Sequence, residues 1–373
     1  MKVVVTGDFS PINRIAPLIK EKNFAGIYND ILPILNDADL AITNLEAPLT
    51  SSVSRIDKTG PALKADKDSV EAIKFGGFSL VTLANNHCLD YGEEGLKDTM
   101  QILKENGIAF VGAGRNNTEA RKASVFKKAG KTLSVLAFAE NEWSTTSDDH
   151  YGANPLNIID NFYDIAEARK TSDYVLIVVH CGLEHYQLPL PGIKKLMHFF
   201  IDIGADAVVC HHTHCFSGCE IYKGKPIVYS LGNFIFDSPG KKGNWNKGVI
   251  AILDFESSGT NLSLVPYIQN DDKIGARLLD KKQNEEFLIE MKNLSSIILD
   301  DKQLVWHYRK QLESVRRRYL WYLQPFSFRI FRALEKYKLL PEALLKKGQR
   351  QLLLNIIRCE THRDIILNLL RTY

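Results

Sequence analysis

The chain has 373 residues with 45% apolar and 24% charged residues, the composition of a soluble globular protein with room for one large α/β domain plus an appendage. No uninterrupted apolar run is long enough to span a bilayer, and the first residues lack a secretory pattern, so the expected compartment is the cytoplasm. The formal net charge of +3 hides an asymmetry: Lys302 to the end carries 16 Lys/Arg against 5 Asp/Glu, while the preceding part is acidic. The six cysteines lack the spacing of a disulfide framework, and Cys215 and Cys219 lack a second pair to complete a structural zinc site, so reduced thiols are expected.

In chain order, Val3 to Thr6 reads as a short buried strand because it is β-branched, and it ends at Gly7-Asp8, where glycine permits close backbone approach. Asp39 to Asn44 is a second strand, delivering Asn44-Leu-Glu46. Phe78 to Ala84 is a third, delivering Asn85-Asn-His-Cys-Leu-Asp90. Gly92 to Asn106 follows a helical period, with Leu96, Met100 and Leu103 on one face and Gly107 as a left-handed cap. Thr132 to Glu140 is a strand, and 141–155 a polar, substrate-facing rim with Trp143, His150 and Tyr151.

Asn161 to Lys170 reads as a helix. Asp173 to Val179 is the most apolar strand of all, running straight into His180-Cys-Gly-Leu-Glu-His185. After an amphipathic helix over Gly192 to Ile203, the run Ala207 to Cys210 ends in His211, His212 and His214, three of the ten histidines in the chain. Glu220 to Tyr229 reads as a hairpin turning at Lys223-Gly224. Lys247 to Glu256 and Leu262 to Ile268 complete an antiparallel set. Helices over Asn284 to Leu299 and Asp301 to Tyr322 follow, with Gln324-Pro325 and Leu340-Pro341 as punctuation. Strands alternating with helices, then a run of strands, indicate an α/β sandwich of mixed sheets flanked by helices. The domain reading is 1–270 for this sandwich and 280–373 for a basic helical C-terminal extension.

Five strand ends thus carry Asp8, Glu46, Asn86 with His87, His180, and His212 with His214. Carboxylates, an amide and imidazoles at neighbouring strand ends suit one or two borderline-hard divalent cations, which activate water and offset phosphoryl charge. For the loop from His211 to His214 the bland alternative is a polar turn of solvated histidines; for the whole series it requires every one of the five strand ends to be a coincidence. Asn44 and Asn233 read equally well as satisfied turn asparagines.

The series Gly7-Asp8, Asn44-Leu-Glu46, Asn85-Asn-His87 with Asp90-Tyr-Gly92, His180-x-Gly-x-Glu184, His211-His-x-His214 and Ser230-Leu-Gly-Asn-Phe234 resembles the CapA family of poly-γ-glutamate and capsule synthesis. That family's fold is similar to the calcineurin-like metallophosphoesterases, and the resemblance covers about residues 1–270. It implies Asp8, Glu46, Asn86, His180, His212 and His214 as metal ligands, Glu46 standing where a bridging aspartate would be. It implies His87 as the group that protonates the leaving oxygen and Asp90 as its orienting carboxylate. Glu184 matches the family pattern and joins His87 and Asp90 among the catalytic candidates.

The metallophosphoesterases place a histidine two residues after the first aspartate; here that position is Ser10. One ion or two, and Mn, Fe, Zn or Mg, therefore stay open. The resemblance implies a metal-dependent, phosphoesterase-like hydrolase for an anionic polymer or phosphate-ester substrate of cell-surface polymer synthesis. Its alternative is a non-catalytic accessory subunit of a membrane-bound synthase.

In the extension, Trp306 to Lys310, Arg316 to Tyr322 and Phe326 to Arg332 mix arginine and lysine with large aromatics. The readings for it are a helical cap, peripheral contact with the inner face of the membrane, or binding of an acidic partner or substrate. No nucleic-acid-binding signature is present.

Overall fold

The computed structural model describes residues 1–58, 60–147, 149–322, 329–337, 339–340 and 345–358. Gln324-Pro325, Pro341 and the segment 326–328 lie outside them. Two compact units, Met1–Leu304 and Val305–Tyr373, divide the chain.

The first unit holds two sheets. The larger contains β1 (Lys2–Ser10), β2 (Leu40–Leu45), β3 (Leu80–Thr82) and β4 (Ala109–Val111) as parallel neighbours. A small pair, β5 (Ala113–Gly114) and β8 (Gly152–Ala153), stands apart. The second sheet is built from β6 (Ser124–Lys128), β7 (Lys131–Ala139), β9 (Tyr174–His180), β10 (Ala207–His211), β11 (Cys219–Tyr222) and β12 (Lys225–Val228), in the order β11-β12-β10-β9-β7-β6. Its four central strands are parallel, with an antiparallel strand at each edge. The larger sheet continues from β1 through β14 (Lys247–Glu256), β15 (Gly259–Gln269) and β16 (Ala276–Leu278), all antiparallel. β13 (Asn233–Phe236) pairs in parallel with the end of β1.

The side chains alternate as a two-faced sheet requires. Leu133, Val135, Ala137 and Ala139 of β7 join Leu176 and Val178 of β9 and Val209 of β10 in one core with Val3, Val5 and Ile42 of the larger sheet. Their neighbours Leu136, Phe138, Val175, Ile177, Val179 and Val208 turn the other way, onto Met197, Phe200 and Ile201 of the helix Pro191–Asp202. The sheets therefore face one another with helices outside, the expected sandwich.

β1 changes partner midway. Lys2 to Val5 pair with β14, whereas Asp8 to Ser10 pair with β13. Gly7 sits at the changeover, where an added Cβ would stand 1.9 Å from the Gly232 carbonyl oxygen. Only glycine admits that approach. The result is that Asp8 is aimed into the space between the sheets' carboxyl ends.

Most of the expected elements form with ends shifted by a few residues: the helix Gly92–Glu105, the helix Ile158–Thr171 capped by Asn157, and the hairpin with Lys223 and Gly224 at φ 50° and 76°. β3 is shorter than its apolar run, because the chain turns at Leu83 to place Asn85 to Asp90. Short helices within residues 15–36, and β4, β6 and β13, had no sequence pattern strong enough to announce them. The helix Lys281–Leu299, assigned from sequence to the extension, packs within the first unit: Phe287 stacks on Phe216 with centroids 4.1 Å apart.

In the second unit, Lys310 lies 5.8 Å from the Trp306 ring. Among the described residues no helix is long and apolar enough to cross a membrane. Cys88, Cys181, Cys210, Cys215 and Cys219 are free thiols.

Candidate metal centre

Two buried groups of side chains that could hold a metal ion share one carboxylate. Asp8, Glu46 and His214 form one set and Glu46, His180 and His212 the other, with ligand atoms within 4.8 Å of each other in each. Asp8 ends the bulged part of β1, Glu46 follows β2, His180 ends β9, and His212 and His214 follow β10. Both sheets thus contribute, at the carboxyl ends of parallel strands.

His212 and His214 have φ values of 91° and 55°, a region that costs a residue with a Cβ about 1–3 kcal/mol. The loop is held there because Thr213 Oγ1 donates to the Cys215 carbonyl at 2.8 Å and the His212 amide reaches Asp8 Oδ2 at 3.4 Å.

The second set has a fourth member. Asn86 Oδ1 lies 3.0 Å from His180 Nε2, which is 3.1 Å from His212 Nδ1 and 3.5 Å from Glu46 Oε1. These atoms converge. In the first set, His214 Nδ1 faces Asn233 Oδ1 at 2.9 Å, which leaves Nε2 toward Glu46. Asn233 therefore orients the candidate ligand His214.

Asn44 does likewise. Its Nδ2 donates to Asp8 Oδ1 at 2.8 Å, while its Oδ1 accepts from Thr82 Oγ1 and Asn85 Nδ2. His211, named in the sequence only as part of the histidine run, holds Asp8 Oδ1 through Nδ1 at 3.1 Å.

Electrostatics indicate what the centre would hold. Burial, then the charges of Asp8 and Glu184, push the Glu46 carboxyl well above the usual carboxylate range. Burial alone would raise Asp8 too, but hydrogen bonds from His211 and His214 hold it well below its ordinary value. Burial, then His212, depresses His180, and burial, then His214, brings His212 down to about 4. Both Glu46 oxygens, and Ser10 Oγ, are buried without a hydrogen-bond partner. A buried carboxylate facing another carboxylate, with both oxygens unsatisfied and neutral imidazoles alongside, is what a divalent cation would complete. The residues present fit such an ion.

His87 stands beside the centre. Its Nδ1 is 2.6 Å from Asp90 Oδ2, the pairing expected. The sequence did not point to Lys58, whose Nζ contacts Asp90 Oδ1 and lies 3.3 Å from His87 Nδ1. The Lys58 side chain is nearly fully buried, in a Ser/Gly/Pro-rich segment with no pattern to mark it. Glu184, by contrast, is exposed; its charge reaches Glu46 and His212. Glu142 was missed as well, although it follows the end of β7 as the candidate ligands follow the ends of their strands.

A family model described as "Bacterial capsule synthesis protein PGA_cap" matches residues 2–238. The chain belongs to that family. The PGA_cap match spans every candidate ligand named above and stops just past β13. The chain is similar to the PGA biosynthesis protein CapA of Bacillus subtilis, 31% identical over 236 residues, covering 62% of this chain and 62% of that protein. It is similar to the capsule biosynthesis protein CapA of Bacillus anthracis at 28% identity, covering 64% and 60%.

A probable polyglutamine synthesis accessory protein of Mycobacterium tuberculosis is 27% identical, covering 58% and 61%. The match therefore spans about three-fifths of the length of these curated relatives. Among solved structures, a hypothetical protein from Thermus thermophilus gives a TM-score of 0.47 at 17% identity, covering 73% of this chain and 100% of that one. The 5'-nucleotidase from Candida albicans gives 0.41 at 15% identity, covering 84% and 58%.

Proposed function

We propose that this PGA_cap-family chain is a metal-dependent, phosphoesterase-like hydrolase acting in capsule, poly-γ-glutamate or other cell-surface polymer synthesis. The observation that carries the reading is Glu46, shared by two ligand sets and buried with both oxygens unsatisfied. Asp8, Glu46 and His214 would hold one divalent ion, and Glu46, Asn86, His180 and His212 a second. Such ions act as Lewis acids and make water a nucleophile at neutral pH.

The chain's own residues do the rest. Asp90 accepts from His87 Nδ1, which fixes the ring and leaves Nε2 to pass a proton to the leaving oxygen. Lys58 compensates the Asp90 charge inside the protein. Ser10, in place of a histidine, leaves the Asp8 set with one ligand fewer. The substrate class is an anionic ester or an intermediate of polymer assembly, and a membrane-bound synthase is the proposed partner, with the basic helices after Lys302 as the contact to it or to an anionic inner-leaflet surface.

Elemental analysis of purified protein, paired with hydrolysis of an aryl phosphate under added Mn, Mg, Zn or Fe, tests the reading. It predicts bound metal and turnover that His212→Ala abolishes. Metal-free protein, inert under every addition, would sink it and favour the second reading, an accessory subunit without catalysis. The similarity to a mycobacterial protein described as a probable synthesis accessory protein favours that second reading.

A further inference from the structure

β7 leads into Glu140-Asn-Glu142, a segment laced to the end of β9. The Glu140 amide donates to the His180 carbonyl at 3.0 Å, and Glu140 Oε2 accepts from the Gly182 amide at 2.9 Å. The Glu142 amide in turn donates to the Glu140 carbonyl at 2.8 Å. This places the Glu142 carboxylate across two ligands at once. Its Oε2 accepts from Asn86 Nδ2 at 3.5 Å, and its Oε1 lies 3.5 Å from His212 Nε2.

The opposite ends of those two side chains are the ones that converge. Asn86 Oδ1 and His212 Nδ1 lie 3.0 and 3.1 Å from His180 Nε2. An imidazole that offers Nδ1 to a cation carries its proton on Nε2, and an amide that offers its oxygen turns its N–H outward. Both outward atoms are then donors, and one carboxylate lies within 3.5 Å of both. Among the described residues Glu142 belongs to neither ligand set, so it stands outside the ligands rather than among them.

Resting on the metal-centre reading above, we infer that Glu142 is a positioning carboxylate that fixes the Asn86 amide and the His212 ring in their ligating orientations. Without it the amide is free to rotate its nitrogen inward, and the His212 proton has no acceptor. Glu142 is 38% exposed at its side chain, so replacing it leaves no buried void.

The test is Mn²⁺ titration of the full chain by calorimetry, with unliganded thermal stability measured alongside, for the native protein, Glu142→Ala, Glu142→Gln and His212→Ala. Loss of a carboxylate behind metal ligands typically weakens binding about 10–100-fold, and that is the loss expected for Glu142→Ala. Glu142→Gln, the same size with one acceptor oxygen, should lose less, and both should keep the native unliganded Tm. Native-like Mn²⁺ affinity in both Glu142 variants overturns this inference while the metal centre stands. A native protein that takes up no Mn²⁺, or whose affinity His212→Ala leaves unchanged, overturns the metal centre and the inference together.

Discussion

Asn44 Nδ2 donates to Asp8 Oδ1 at 2.8 Å where β1 and β2 run side by side. The amide is held by Thr82 and Asn85 on its other side, so it can meet Asp8 only as a donor. Asn44→Asp, which keeps the shape, puts a second carboxylate against Asp8 in a fully buried place. A loss of about 3 kcal/mol is expected in urea unfolding of the metal-free protein at neutral pH. Unchanged stability would mean that the contact does not hold Asp8.

Removal of His87 separates catalysis from assembly. His87→Ala should lower turnover of a phosphate ester by about 10²–10⁴-fold with metal content unchanged. The loss should be greater for an alkyl than for a nitrophenyl leaving group, because the poorer leaving group needs the proton more. Equal losses on both would point away from leaving-group protonation.

Lys58 and Asp90 are side chains with 4% and 0% exposure. Lys58→Met leaves a buried carboxylate without its cation, at a cost of about 3–5 kcal/mol. Adding Asp90→Asn to that variant should recover part of the loss. Thermal unfolding of the two single variants and the double gives the coupling directly, and additive losses would show that the pair is not coupled.

Gly7→Ala touches no ligand. Its Cβ would fall 1.9 Å from the Gly232 oxygen, against backbone that has no side chain to swing aside. A loss of about 3 kcal/mol is expected, together with weaker Mn²⁺ binding as Asp8 shifts. Native metal affinity in a folded Gly7→Ala protein would contradict the role given to this close approach.

His212, brought down to about 4 by burial and then His214, stays neutral in the folded protein while the unfolded chain takes up a proton near its ordinary 6.5. Between those values the unfolded state binds more protons, so stability of the metal-free protein should fall as pH drops through that window. His212→Asn should flatten that part of the Tm-against-pH curve measured in chelator. A curve of unchanged slope would show that His212 titrates alike in both states.

The candidate ligand set was legible because it is local. β-Branched runs that end in Gly7-Asp8, Asn44-Leu-Glu46, His180 and His211-His-Thr-His214 announce both the strand and the residue released at its end. Parallel pairing then brings such ends together by necessity. The ends of β7 and the segment around Lys58 follow no comparable signal. Glu142 reads as one polar residue in a polar loop, and Lys58 as one cation among many, until the fold sets the first against Asn86 and His212 and the second against Asp90.

By itself, then, the sequence determined the sandwich, the order of its strands' contributions and the residue types at the centre, since burial and alternation are written in each short segment. Tertiary structure alone decided which atom of each side chain faces inward. His212 turns Nδ1 toward His180, while His214 sets Nδ1 against Asn233 and beside Asp8 and turns Nε2 toward Glu46, because partners elsewhere in the chain and left-handed backbone at both positions orient each ring.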